Sequence, residues 1–268
     1  MMILNTFSKK LQKFGWGNFI QGSYSLRNIC QSLNIDFGID FSDHPISDYL
    51  VPQITTINKR QTTAIYDISS RKDVDQTSKY ISSLYSLYTR KGYKHVRFYY
   101  DQPPLHKDIK YDRALSRYFL PNQKANDLIK KEFSYDNYEV IHIRCGDHNA
   151  FSNSDCSYID SIISDIEPEI ISIKNNTKSP ILLISDSHKL KVKLSAIHNF
   201  HIINNVPSHT IEYDDFFYEV ALDFFLLCKA QSIHQFCVYM RPSSFSYWPH
   251  VLFNIPFYYY PTISSFRE

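Results

Sequence analysis

The sequence predicts an α/β protein built on parallel sheets, and three features carry that reading. In the second half of the chain, strand-like runs at 139–144, 181–185 and 233–239 are separated by helical stretches at 158–173 and 214–230, the order of βαβ units. The run at 181–185 is almost wholly apolar, as a strand covered on both faces requires. With 43% hydrophobic residues in 268, the chain can bury one large core or two lobe-sized ones, and an intrinsically disordered chain is excluded.

Taken in order, the first element is a helix from Gly17 to Leu33, where Phe19, Ile20, Tyr24, Leu26, Ile29, Cys30 and Leu33 recur near helical spacing. Residues 34–72, with Pro45 and Pro52, read as irregular. A second helix runs from Val74 to Arg90 on the stripe Ile81, Leu84, Tyr85 and Tyr88. A strand follows at Lys94–Tyr100, before Pro103-Pro104. Pro121 and the polar residues after it mark a lobe boundary, giving lobes of 1–121 and 122–268. Beyond the strands and helices already named, the second lobe adds a helix near 187–197 and a strand at His201–Ile203. A short helix and a last strand at Phe257–Tyr260 close it.

Charge and cysteine usage narrow the function. The net charge is +2, from 29 basic and 27 acidic residues with no basic patch, which argues against a nucleic-acid binder. The five cysteines form no CxxC pair, so neither a disulfide framework nor a zinc knuckle is indicated. No run of ~18 apolar residues exists to span a membrane. At the start, the apolar stretch precedes Lys9, Lys10 and Lys13, the reverse of a secretory signal. The expected location is cytoplasmic.

Four segments could carry chemistry. In VIHIRCGD (140–147), alternation puts Ile141 and Ile143 on one face and His142 and Arg144 on the other. A guanidinium at the end of an inner strand needs an anion. That anion is a ligand phosphate, which arginine grips through paired hydrogen bonds, or a carboxylate of the protein itself, with His142 a core histidine. Gly146-Asp147 turns the chain at the strand's carboxyl end, where open α/β sheets bind ligands. In GWGN, Gly15, Gly17 and Asn18 precede or open a helix and permit close backbone approach to a ligand. Asp186, after the strand PILLIS, either accepts hydrogen bonds from a base or ribose or caps the next helix. Ser243, Ser244 and Phe245, in PSSFSYW, form either a phosphate cradle or a simple helix start.

The ordered set, GxGN, HxRxGD, a strand ending in SDS, DFFLLCKA and SSFSYW, resembles the GDP-fucose-dependent fucosyltransferases, nearest to the α1,2-fucosyltransferase family. The resemblance implies a GT-B-like fold, two Rossmann-type lobes with a cleft between them, the C-terminal lobe binding the nucleotide. It implies an inverting, metal-independent transfer of fucose from GDP-fucose to a glycan hydroxyl, with no cofactor. Another nucleotide sugar as donor, or a non-catalytic glycan- or nucleotide-binding protein of the same fold, are the alternatives. Arg144, Asp147 and Asn18 are then the catalytic candidates. Gly15, Gly17, His142, Asp186, Ser243, Ser244 and Phe245 are the donor-binding ones, with His142 toward the nucleoside and Asp186 toward the guanine.

Where the family has a second arginine this chain has Cys145, where it has the glutamine of GLGNQ this chain has Phe19, and where it has the first Trp of SSFSWW this chain has Tyr247. An arginine restored at 145 is expected to raise or preserve donor affinity. The chain also holds an Asp-x-Asp pair, Asp73-Val74-Asp75, the pattern that carries a divalent ion in metal-dependent transferases. It follows Arg71-Lys72 and opens a helix, where acidic residues are ordinary.

Overall fold

The computed structural model describes residues 1–8, 10, 15–42, 44–52, 58–101, 109–146, 156–203, 217–239 and 241–261. Its contacts divide the chain into two units that part between Asn122 and Gln123.

The first unit carries a four-stranded sheet, all parallel: β1 (Met2–Thr6), β2 (Asp36–Asp40), β3 (Thr62–Asp67) and β4 (His95–Tyr99), in the order β2-β1-β4-β3. Helix α1 (Trp16–Ser32) connects β1 to β2, and α2 (Val74–Arg90) connects β3 to β4. Both lay apolar stripes on the sheet, where Leu26, Ile29 and Ile81 meet Ile3, Val96 and Phe98. Three of the four strands were not legible as such. β1 is a five-residue run at the chain start, and β2 and β3 lie in the stretch expected to be irregular. Asp73 accepts a hydrogen bond from the Gln76 amide at 2.7 Å and caps α2, with Asp75 in its first turn. The Asp-x-Asp pair therefore starts a helix.

Close approach of α1 to the sheet is set by two residues. Asn5 donates to the Ser23 hydroxyl (2.9 Å) and to the Tyr100 carbonyl (3.1 Å) and accepts from the Tyr100 amide (3.0 Å), tying β1, α1 and the end of β4 together. Gly22 lies directly on the Tyr100 backbone, which a Cβ at that position would overlap.

The short helix α3 (Arg113–Ser116) lies near the end of the first unit's segment, and the second unit opens with α4 (Gln123–Glu132), which leads into its sheet. That sheet is again all parallel: β5 (Glu139–Arg144), β6 (Ile181–Ser185), β7 (Ser232–Cys237) and β8 (Phe257–Pro261), in the order β6-β5-β7-β8. A bridge from Leu182 to His201 adds a fifth position beside β6. That bridge is all that forms of the strand expected at His201–Ile203. The helices are α5 (Cys156–Asn176), α6 (His188–His198), α7 (Phe217–Lys229) and α8 (Ser244–Phe253). α5 and α6 cover one face, packing Ile162, Ile166, Ile170, Leu190 and Leu194 on Ile141, Ile143 and Leu183. α8 lies on the other, where its Ser246 and Phe245 meet His142. α4 was read as a polar boundary because only Ala125 and Ile129 of its ten residues are buried. Among the described residues no helix is long and apolar enough to cross a membrane.

The chain thus has the α/β class of fold the sequence predicts, with two parallel sheets flanked by helices. Helix propensity alone would make Gly22→Ala stabilising by about 1 kcal/mol. The overlap with Tyr100 reverses the sign, and we expect a net loss of roughly 2 kcal/mol. That loss reads out as a melting temperature lower by several degrees in thermal unfolding; an unchanged or raised value would contradict this packing of α1.

Candidate functional site

Strand order places the site. From β5 the chain crosses to β6 on one side, whereas from β7 it crosses to β8 on the other. β5 and β7 are adjacent, so the connections diverge between their carboxyl ends, the switch point at which open α/β sheets bind ligands. The residues there are Arg144-Cys145-Gly146 after β5, Val238 and Tyr239 after β7, and Ser243-Ser244 at the start of α8.

Arg144 ends β5 with its side chain 21% exposed, and its Nη1 lies 2.9 Å from Oδ2 of Asp186. Asp186 follows β6. Its Oδ1 accepts from the Cys145 amide at 2.7 Å and its Oδ2 from the Gly146 amide at 3.2 Å. Burial pushes the Asp186 carboxyl upward in pKa, while Arg144 and the two amides pull it back. Capping of α6 falls to the neighbouring Ser187, whose hydroxyl accepts from the Leu190 amide. Asp186 is thereby left to hold Arg144 and the turn. Of the two anions the sequence left open for Arg144, a protein carboxylate is present.

Gly146 completes the turn with φ at +95°, in the region that glycine enters freely. A Cβ there would also crowd Tyr239 Oη at 3.2 Å and Val238 Cγ2 at 3.3 Å. The Val238 amide bonds the Arg144 carbonyl at 3.1 Å and the Tyr158 hydroxyl donates to the Cys145 carbonyl at 3.0 Å, so the turn is pinned from both sides.

His142 shares the Arg144 face and is buried. Its Nδ1 lies 2.8 Å from the Ser246 hydroxyl. Burial, then the Arg144 charge, lowers its pKa to about 3, so the ring is neutral. Gln235, fully buried in β7, organises the surroundings: its Nε2 donates to Ser246 Oγ at 2.6 Å and its Oε1 accepts from the Ser243 amide at 3.1 Å. The Ser246 hydroxyl thus accepts from Gln235 and shares a hydrogen bond with His142 Nδ1. This network fixes the start of α8 over the switch point. Ser243 is the residue before α8, and its side chain makes no capping hydrogen bond. Phe245 covers His142 at 6.0 Å between ring centroids.

Gln235 escaped the sequence reading, although a glutamine inside an otherwise buried strand was its signal. The structure brings His142, Arg144, Asp186, Ser243, Ser244 and Phe245 to one end of the second sheet. Gly15, Gly17 and Asn18 begin α1 in the first unit, where the Gly15 carbonyl receives the Asn18 amide at 3.1 Å. Asp147 lies outside the described residues.

Two departures from the family pattern acquire reasons. Phe19 is buried against Phe7 at 4.3 Å, in a cluster with Trp16 and Phe41, so a packing residue occupies that position. Cys145 points to the α5 side and is 1% exposed among Ile141, Ile143 and Ile159. That placement corrects the expectation that arginine at 145 would support donor binding, because the side chain there faces the core and not the switch point. Tyr247 packs on His250 and Phe257. Among the described residues no cluster of His, Cys, Asp and Glu is arranged to hold a metal ion.

No protein-family model matches the chain, and no curated protein matches it in sequence. Solved structures do match it in fold. The crystal structure of NodZ α-1,6-fucosyltransferase soaked with GDP-fucose aligns with a TM-score of 0.54 at 12% identity, over 94% of this chain and 92% of that one. Fucosyltransferase NodZ from Bradyrhizobium, and the NodZ enzyme co-crystallised with GDP, each align with a TM-score of 0.55 at 11% identity over the same shares. At such identity the likeness is one of fold.

Two consequences are measurable. The unfolded chain protonates His142 below about pH 6.5 whereas the native state resists down to about 3. The stability that neutral His142 provides is therefore complete above pH 6.5 and lost on acidification, by about 1.4 kcal/mol per pH unit. Urea unfolding at pH 7 and 4.5 should show His142→Gln losing less stability than the wild type, by on the order of 2–3 kcal/mol; parallel losses would show that His142 is not held neutral. Cys145→Arg should lower stability by more than about 2 kcal/mol, because it buries a charge, and a melting temperature equal to wild type would contradict the core placement.

Proposed function

We propose that this chain is a glycosyltransferase that moves fucose from GDP-fucose to a glycan hydroxyl with inversion, using Arg144 in place of a metal ion. One observation carries the reading: a guanidinium fixed by a buried carboxylate at the switch point of a parallel sheet, beside the start of a helix. Two findings support it. The fold is shared, over nine-tenths of the chain, with the fucosyltransferase NodZ, whose crystals were soaked with GDP-fucose or grown with GDP. Three of the motifs resembling that class, HxRxG, SDS and SSF, meet at the carboxyl end of the second sheet, where open α/β sheets bind ligands.

In the transfer, the acceptor oxygen forms a bond to the anomeric carbon as the bond from that carbon to the β-phosphate oxygen breaks. The sugar passes through an oxocarbenium-like state and the electron pair goes to the departing diphosphate. Arg144 neutralises the growing charge, its planar fork suited to phosphate oxygens. Asp186 orients it: its buried carboxylate already takes three donors of the chain, the guanidinium and two amides, so we assign this residue to positioning the guanidinium rather than to reading guanine. Ser243 and Ser244 hold the start of α8 toward the diphosphate. The acceptor's proton passes to a carboxylate, for which Asp147 is the candidate nearest in sequence. Gly15 and Gly17 serve the donor, and Asn18 the diphosphate or the acceptor.

Nucleotide release from a panel of nucleotide sugars should show GDP-fucose preferred, with EDTA leaving the rate unchanged. Arg144→Lys should lower kcat/KM by about 10²–10³, the typical loss for one preorganised donor. Wild-type rates in that variant would remove Arg144 from the mechanism, and preference for a uridine or cytidine donor would overturn the GDP assignment.

A further inference from the structure

The amino end of the second sheet is also polar. Glu139, Ser232, His234, Tyr258 and Tyr260 lie on the face that α5 covers, as their register with Ile141 and Phe236 requires. α5 ends at Asn176 and leaves this face open toward the edge strand β8. The result is a concavity of about 380 Å³, within the usual range for small-molecule sites.

Its floor is aromatic. The Tyr258 ring stacks on His234 at 4.9 Å and 17°, and Tyr260 lies nearly parallel to His234 at 6.0 Å and 22°. Tyr258, on the edge strand, is 50% exposed. The rim supplies the side-chain amides of Asn176 and Gln231 and the Glu139 carboxylate. Glu139 is held rigidly: Oε1 accepts from the Thr177 hydroxyl at 2.6 Å and Oε2 lies 3.1 Å from His234 Nε2. His234 Nδ1 is 3.2 Å from the Tyr260 hydroxyl.

Among the described residues no lysine or arginine lines the concavity, so a phosphate or sulfate would meet Glu139 with none of them to offset it. A neutral ligand with one apolar face and a hydroxylated edge matches both surfaces, since rings supply flat contact and the amides and carboxylate supply donors and acceptors. We propose that this concavity is a saccharide-binding subsite, with a pyranose lying on Tyr258 and its hydroxyls on Glu139, Asn176 and Gln231. Five residue steps along β5 separate it from Arg144, about 16 Å, and it lies on the opposite face of the sheet. It is therefore a second site, and it stands whether or not the transferase reading does.

Saturation-transfer NMR on the full chain, with methyl glycosides of glucose, galactose, mannose, fucose and N-acetylglucosamine, tests it. At least one should bind, with saturating GDP leaving its signal in place. Tyr258→Ala should weaken that binding tenfold or more, while Tyr258→Phe, which keeps the ring, should stay within about threefold of wild type. Circular dichroism on both variants checks folding, and Glu139→Gln gives a second perturbation that leaves the aromatic floor intact and should weaken binding at least threefold. The proposal is overturned if none of the glycosides binds, if Tyr258→Ala and Glu139→Gln both bind as wild type, if GDP displaces the sugar, or if guanosine alone occupies the Tyr258 floor.

Discussion

The carboxylate of Asp186 is the constraint on which the candidate site rests. It is largely buried, and burial alone would drive it to the neutral form. Three donors oppose that: the Arg144 guanidinium and the amides of Cys145 and Gly146. Each comes from the end of β5 or its turn, while the carboxylate comes from the end of β6. The ion pair therefore fixes where the turn goes as well as where the guanidinium goes. Removing one partner leaves the other charged and buried, a loss of several kcal/mol in comparable cases. Such a pair contributes geometry more than net stability, which is what a site for a charged ligand needs.

A second polar layer sits behind the first. Gln235 spans from the Ser243 amide to the Ser246 hydroxyl, and Ser246 in turn meets His142. The three buried side chains satisfy one another, so the cost of burying them is offset without water. α8 therefore cannot shift its first turn without breaking a buried bond. His142, drawn from the sequence as a donor contact, thus acts in this structure by holding α8 in register with β5.

The second sheet was legible because its inner strands are short apolar runs between helices of regular period. Alternation in VIHIRC also put His142 and Arg144 on one face, as observed. The first sheet was not legible. β2 (DFGID) and β3 (TTAIYD) are five and six residues long, carry Asp and Gly, and have no unbroken apolar core. β2 pairs with β1 and β3 with β4 over more than 30 residues of chain, and β1 joins β4 over more than 90, which periodicity does not reach. The Arg144–Asp186 pair was hidden for the same reason, since strand alternation says that arginine needs an anion but not which one. At Cys145 the family pattern suggested a missing cation. Only the fold shows that the residue after β5 continues the alternation into the core.

β5 carries opposite charges at its two ends, Glu139 and Arg144, separated by Val140, Ile141, Ile143 and a neutral His142. The two ends lie about 16 Å apart along the strand. Each end takes its character from its own neighbours. Glu139 is matched by Thr177 and His234 and faces an open aromatic surface, whereas Arg144 is matched by Asp186 at the switch point. A parallel sheet confines anion chemistry to its carboxyl end because the helix N-termini and diverging turns are there. The amino end has no such donors to offer, and the groups it does present suit an uncharged, hydroxyl-bearing ligand.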